Sequence, residues 1–469
     1  MPLVDTLIHA GWVVPVVPAG AVLPEHSIAI DAGRIVGLLP TAEARRCWQA
    51  RQTVERLQHI VCPGLVNLHG HSAMTLLRGL ADDQPLDTWL QQHIWPAEGR
   101  HLSAEFVQDG TLIACAEMLR GGTTCFNDMY FFPEAIARAA LQSGMRACIG
   151  AAILEFPSGY ASDADDYIAK ALAARDAFLH EPLLQFSLAP HAPYTVSDST
   201  FERIVTLAGQ LQMPVHMHVQ ETALEVSDSI AQYGMRPLAR LKSLGLLSPD
   251  FLAVHAVHLN DTEIALLAEH GCHVAHNPSS NMKLASGIAP VSALLAAGVN
   301  VGIGTDSAAS NNRLDMFTEM RSTALLAKVA TGRADAVPAW QALQMATLNG
   351  AAALGLQDQI GSLETGKAAD LISVHVDNIE ALPCFDPISH LVYCLERHQV
   401  NDCWVNGNPL LTDRQPVRLN LPQLTGKARW WHQRIGKQPA TDSSPPLHPG
   451  PLPTSSDTPS HDPILKPYP

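Results

Sequence analysis

Pro63-Gly64-Leu65-Val66-Asn67-Leu68-His69-Gly70-His71 is an apolar run that ends in His-x-His. Side chains two apart on a strand share a face, so this ending offers two imidazoles to one metal ion, a donor type that suits zinc. Alone, the pair also reads as polar residues at a pocket rim. The design recurs in Pro214-Val215-His216-Met217-His218-Val219-Gln220-Glu221, in Phe251-Leu252-Ala253-Val254-His255 and in Val299-Asn300-Val301-Gly302-Ile303-Gly304-Thr305-Asp306. Each run carries a potential ligand or proton carrier at its C-terminal end. In a (β/α)8 barrel the strands' C-terminal ends meet at the active site. Four such runs in order therefore predict an α/β fold, a TIM-like (β/α)8 barrel with a metal site.

The chain has 469 residues, 47% of them apolar, which is enough for a barrel plus one smaller domain. Its formal net charge is −15, and no Lys/Arg-rich run is present to track a phosphate backbone, so nucleic acid is not expected as a partner. The N-terminal Met1-Pro2-Leu3-Val4-Asp5-Thr6 lacks a basic start, and Gly11, Pro15 and Pro18 interrupt the apolar stretch behind it. With no apolar run long enough to span a bilayer, no membrane association is expected. Nine cysteines without regular spacing, among them Cys115, Cys125 and Cys148, read as reduced core residues of a cytoplasmic protein.

Residues 1–62 read as short strands, Thr6 to Val17, Ser27 to Ile30, Arg34 to Leu39 and Leu57 to Cys62, with a turn at Asp31-Ala32-Gly33. From Pro63 to about residue 360 strands alternate with amphipathic helices, as in Ser103 to Leu119 followed by Thr123 to Asn127, which predicts parallel βα units. The pattern returns to β over 361–436, with Ala369 to Val374 and with Val400 to Val405 before the turn Asn406-Gly407-Asn408. The two β pieces are expected to complete one composite β-sandwich domain from both chain ends. Residues 437–469 are rich in Pro, Ser and Thr and predict a disordered tail.

PGLVNLHGHSAMTLLRG, LDTWLQQHIWPAE, MLRGGTTCFNDMY, SLAPHAPYT, HMHVQET, AVHAVHL, VAHNPSSNMKLASGIAPV and GIGTDSAASNNRLDMFTEMR together span about residues 62–325. Through them the chain resembles the amidohydrolase superfamily, in its branch of 5-methylthioadenosine/S-adenosylhomocysteine deaminases. Carried over position by position, the resemblance implies metal ligands at His69, His71, His218 and Asp306. It implies proton handling by Glu221, His255 and Asp306, and substrate contacts at Glu98, His191, Glu221 and Asp306. One divalent metal is implied, zinc first and Fe2+ as the alternative, because the same donors hold several first-row ions. No lysine stands where binuclear relatives carry a bridging one. A homo-oligomer is implied as well.

These residues suit hydrolytic deamination. A bound metal lowers the pKa of water toward neutrality, and attack at C6 of an adenine ring needs a proton at N1, which Glu221, three residues beyond His218, is placed to move. Such general acid–base help is worth about 100-fold to 10,000-fold. His255 would hydrogen-bond the attacking oxygen, and Asp306 would pass a proton to departing ammonia. Glu98, an acceptor with several lone pairs, would take the two ribose hydroxyls, so a nucleoside is expected with water as co-substrate. His191 would contact N3 or the sugar.

The plainer readings make Glu221 a solvated carboxylate, His255 a core histidine and Glu98 a helix-start acid. Met74, Trp89 and Trp95 read as core before pocket wall, Ser279-Ser280-Asn281 as a turn, and His216 as a neighbour of the metal that does not bind it. Some members of the branch place arginines after Gly-Met-Arg to hold a carboxylate tail. Here Gly144-Met145-Arg146 is followed by Ala147 to Ala152 and by an arginine-free loop, Phe156 to Asp166. A neutral methylthio tail fits this better, which puts 5-methylthioadenosine ahead of S-adenosylhomocysteine and adenosine. Deaminases or hydrolases of guanine, cytosine or s-triazines are the alternative within the superfamily. A metal-bearing binding protein is the non-enzymatic one, disfavoured because a structural zinc site closes its own coordination sphere.

Overall fold

The His-x-His run forms the strand Leu65–Gly70, buried at every residue, and it opens a sheet of eight strands. A computed structural model describes residues 1–436; the expected tail, 437–469, lies outside the described residues. The strands that follow are Thr123–Tyr130, Arg146–Ile153, Leu184–Pro190, Val215–Val219, Phe251–His255, His273–His276 and Asn300–Ile303. Neighbours in sequence are neighbours in the sheet, all paired in parallel. Their near-continuous burial is what a sheet covered on both faces requires.

The eighth strand comes back to the first at the strands' C-terminal end, where the Asp306 amide donates to the His69 carbonyl at 2.9 Å. Gly304 permits this closure, since a Cβ there would lie 2.7 Å from the His69 nitrogen and 2.5 Å from Asn277 Oδ1. Among the crossover helices, Ala104–Arg120 is capped by Ser103, whose hydroxyl accepts the Phe106 amide. Pro133–Ser143 ends at Gly144, which has φ +81° and is the residue type that stops a helix this way at least cost.

A second, mixed sheet of nine strands joins both ends of the chain. Its seam is the antiparallel pairing of Gln49–Pro63 with Leu371–His375, register Leu371 to Pro63 and His375 to His59. Ile8, Ile28, Ile30, Val61, Leu371 and Trp404 fill its core. The turn at Asn406-Gly407 falls where expected, with both residues at positive φ between the strands Val400–Val405 and Asn408–Thr412.

Several elements differ from the sequence reading, among them the short helices Thr41–Cys47 and Pro387–Tyr393 inside stretches read as β. The strand expected from Leu57 starts at Gln49, because residues 49–56 pair in parallel with Leu3–Val13 while remaining mostly exposed, and so show no apolar signal. The stretch assigned to β structure up to 436 ends in a helix, Leu421–Gly436, whose Trp431 packs edge-on to Phe106 and donates its indole N–H to Asp109 at 3.1 Å. All nine cysteines are free. Among the described residues no helix is long and apolar enough to cross a membrane.

Candidate active site

The predicted residues meet at the C-terminal mouth of the barrel. A cavity there is lined by His71, Glu98, His191, His218, Glu221, His255 and Asp306, with His69 fully buried beside them. The imidazole of His69 lies 4.8 Å from that of His71, 4.9 Å from His218 and 5.8 Å from His255, measured between ring centres.

Hydrogen bonds settle which ring nitrogens face inward. His71 Nδ1 donates to the Met129 carbonyl at 2.6 Å, His218 Nδ1 to the His191 carbonyl at 2.7 Å, and His255 Nδ1 to Asn281 Oδ1 at 2.8 Å. Carbonyl oxygens only accept, so each Nδ1 carries a proton and Nε2 is the ring nitrogen left to face the cavity. His69 Nδ1 faces His216 Nε2 at 3.0 Å, and His69 Nε2 is a buried nitrogen without a hydrogen-bond partner. His216 thus lies behind a ligand candidate, as its strand face implied.

Asp306 Oδ1 stands 3.4 Å from His69 Nε2 and 3.3 Å from His71 Nε2. Tetrahedral zinc with bonds of about 2.0–2.1 Å separates its ligand atoms by about 3.3 Å. Donor atoms of His69, His71 and Asp306, and likewise of His69, His218 and His255, lie within 4.8 Å of one another. The donor set therefore fits a divalent ion. Burial pushes His69 down to about 3 and, helped by His191, pushes His218 well below its ordinary value, so both rings are neutral donors. Burial opposes a charge on His71, but Asp306 outweighs it and raises that ring to about 9. Burial also opposes the Asp306 carboxylate, yet His69 and His71 hold it well below the usual range.

Further contacts hold these groups in place. Asp306 Oδ2 accepts the hydroxyls of Ser280 at 2.6 Å and Ser310 at 2.8 Å, and Oδ1 accepts the Ser307 amide at 2.7 Å. Glu221 Oε2 lies 3.6 Å from His255 Nε2, and Oε1 accepts the Ser286 hydroxyl at 3.3 Å; burial raises its pKa against the pull of His255. Glu98, in the first turn of Trp95–His101, takes a 2.5 Å hydrogen bond from the Tyr130 hydroxyl, and burial pushes its carboxyl up to about 7. His191 Nδ1 meets Thr195 Oγ1 at 3.1 Å, and burial pushes its ring down to about 3.

Two sequence readings need correction. Ser279-Ser280-Asn281 is no isolated turn. It lies in the helix Pro278–Lys283, which aims the Ser280 hydroxyl at Asp306 and the Asn281 carbonyl at His255. Met74, Trp89 and Trp95 all line the cavity, Met74 and Trp89 as buried core residues and Trp95 half-buried. The parts played by Tyr130, Ser280, Asn281 and Ser310 leave no trace in the sequence, since they depend on partners far away in the chain or on side-chain direction and carry no period of their own. Leu86, Leu90, Ile94, Phe131, Leu154 and Leu284 complete an apolar wall, and among the described residues no lysine or arginine lines the cavity.

A sequence profile described as "Amidohydrolase family" matches residues 60–410. The chain is 46% identical over 433 residues to a 5-methylthioadenosine/S-adenosylhomocysteine deaminase of Teredinibacter turnerae, covering 92% of this chain and 98% of that protein. It is 45% identical over 437 residues to the protein of the same name from Saccharophagus degradans, covering 93% and 98%. Among solved structures, an adenosine deaminase from Xanthomonas campestris with bound zinc superposes with a TM-score of 0.92 at 51% identity, covering 92% of this chain and 99% of that one. A triazine hydrolase from Arthrobacter aurescens superposes with a TM-score of 0.84 at 25% identity over similar shares, 92% and 99%. The chain belongs to the amidohydrolase family, in its branch of 5-methylthioadenosine/S-adenosylhomocysteine deaminases.

Proposed function

We propose that this protein is a zinc-dependent deaminase that converts 5-methylthioadenosine, and more slowly S-adenosylhomocysteine or adenosine, to the inosine-type nucleoside and ammonia. His69, His71, His218 and Asp306 would hold the ion. When bound, it supplies a Lewis-acidic centre that brings the pKa of water near neutrality. Glu221 takes a proton from the attacking water and delivers it to ring N1, a role that suits a buried carboxyl whose pKa is raised. His255, with Nδ1 tied to Asn281, presents Nε2 to the attacking oxygen. Asp306, whose Oδ2 is held by two serine hydroxyls, carries the second proton to the departing amine. Glu98 accepts the ribose hydroxyls, and His191 contacts N3 or the sugar. Water enters, C6–N breaks, C6=O forms and ammonia leaves.

The observation that carries the choice of substrate is the wall of the cavity. It offers leucines, tryptophans and two methionines to a substrate's apolar end and, among the described residues, no lysine or arginine to an amino-acid carboxylate. We further propose a cytoplasmic enzyme, supported by nine free cysteines, that acts as a homo-oligomer on a small molecule, with neither nucleic acid nor membrane as partner. Ammonia release from 5-methylthioadenosine, S-adenosylhomocysteine, adenosine, guanine and cytosine at equal concentrations tests the reading. The highest kcat/KM is expected for 5-methylthioadenosine. Turnover of a free base alone would overturn the nucleoside assignment and the role of Glu98.

A further inference from the structure

Thr222-Ala223-Leu224-Glu225 has the spacing of an ordinary capping box, in which the acid at the third helical position accepts the backbone N–H of the capping residue. Half of that arrangement is present. Thr222 Oγ1 accepts the Glu225 amide at 3.2 Å at the start of the helix Ala223–Tyr233. The carboxylate of Glu225, however, reaches past Thr222. Its Oε1 accepts the Gln220 amide at 2.7 Å and its Oε2 the Glu221 amide at 3.0 Å. Both oxygens of a buried carboxyl group are thus committed to the two consecutive amides that lead into Glu221.

The residue between them is under strain. Gln220 has φ +52°, a left-handed conformation that costs a side-chain-bearing residue roughly 1–3 kcal/mol. Every polar group of Gln220 is engaged in keeping it there. Its carbonyl accepts the Val257 and His258 amides at 3.1 and 3.0 Å, its Nε2 donates to the His258 carbonyl at 2.8 Å, and its Oε1 accepts the Leu238 amide at 3.1 Å. Such a turn reverses the strand end and throws the next Cα–Cβ bond toward the cavity. At the far end of that side chain, Ser286 donates to Glu221 Oε1, and the Ser286 carbonyl is held by His258 Nε2 at 2.7 Å.

From this geometry we infer that Glu225 is a positioning residue for Glu221: its carboxylate clamps the left-handed turn at Gln220 and so fixes where the Glu221 carboxyl meets the substrate. Glu225 does not line the cavity, and its effect reaches the reaction only through Glu221. The inference rests on the proton-transfer role proposed for Glu221. A misplacement of about 1 Å in a reacting group costs on the order of 100-fold in rate.

Metal-replete Glu225→Gln and Glu225→Asp are to be assayed with 5-methylthioadenosine alongside Glu221→Gln and the double variant Glu221→Gln/Glu225→Gln. Gln offers one acceptor oxygen where the clamp needs two, and Asp is one carbon too short to span both amides. Each single variant at 225 is expected to keep its zinc content and to hold KM within about twofold while kcat falls on the order of 100-fold. The double variant is expected to be no slower than Glu221→Gln alone, because a residue that acts only through Glu221 has nothing left to lose. A purely structural role would slow the Glu221→Gln background further, and that result would overturn the inference. So would normal kcat in Glu225→Asp, or loss of zinc in both single variants at 225. Normal turnover in Glu221→Gln would instead strike the role of Glu221 itself, a separate failure.

Discussion

Replacing Glu98 by Gln should stabilise the folded protein and weaken its hold on the nucleoside at the same time. Burial pushes the Glu98 carboxyl from 4.5 up to about 7, against the pull of the Tyr130 hydroxyl. Between those two values the folded state keeps a proton that the unfolded chain has released. Stability therefore falls as pH rises through the window, and the cost is complete above about pH 7. From 4.5 to about 7 is roughly 2.5 pH units, which at about 1.4 kcal/mol each comes to about 3 kcal/mol. Glutamine is uncharged throughout, and its amide oxygen can keep the bond from Tyr130. The variant should gain up to about 3 kcal/mol near pH 8 and almost nothing near pH 4.5. With about 2.1 cal/mol/K of unfolding entropy per residue, a chain of this size shifts by about 1 °C per kcal/mol, so Tm should rise by about 3 °C near pH 8. Losing a charged acceptor should also raise KM by about 10- to 100-fold. Thermal scans of both proteins across this pH range, paired with KM measurements, provide the test. A gain independent of pH, or a lower Tm near pH 8, would refute the burial argument; an unchanged KM would remove Glu98 from ribose binding.

Glu221→Gln should retain its metal, measured by elemental analysis, while kcat falls about 100-fold to 10,000-fold; wild-type turnover would take Glu221 out of the mechanism. His216→Phe leaves the Nδ1 proton of His69 without its 3.0 Å partner, and a competition titration should show zinc affinity about 10- to 100-fold weaker. Asp370→Asn breaks a buried pair in which Arg146 donates to Asp370 at 3.0 and 3.3 Å, between the third barrel strand and the composite sheet. Removing one partner should cost about 3–5 kcal/mol in denaturant unfolding, and a cost below about 1 kcal/mol would mean that Arg146 finds another acceptor.

The barrel was legible because its strands are buried on both faces, so four of them read as short apolar runs with a polar residue at or just past the end. Strands exposed on one side were harder to see. Gln49 to Arg56 form a strand only because Leu3–Val13 lies alongside, and nothing in their own polarity reports that partner. The helix Leu421–Gly436 has few apolar positions, of which Leu424 and Trp431 are buried, and its docking against the helix Ala104–Arg120 involves Asp109, more than 300 residues earlier.

The sequence by itself determined the donor types, their order at strand ends and the absence of an arginine in the loop Phe156 to Asp166, because these are properties of residue identity and short-range spacing. Only the tertiary structure decided which ring nitrogens face inward, which carboxylates are raised or lowered, and that Glu225 serves Glu221 instead of its own helix cap. Those outcomes depend on hydrogen bonds and burial between segments far apart in the chain, as in Ser280 with Asp306 or Tyr130 with Glu98. A carboxyl group has the same chemistry wherever it stands in a sequence, and the fold sets how much water it loses and which donors it meets.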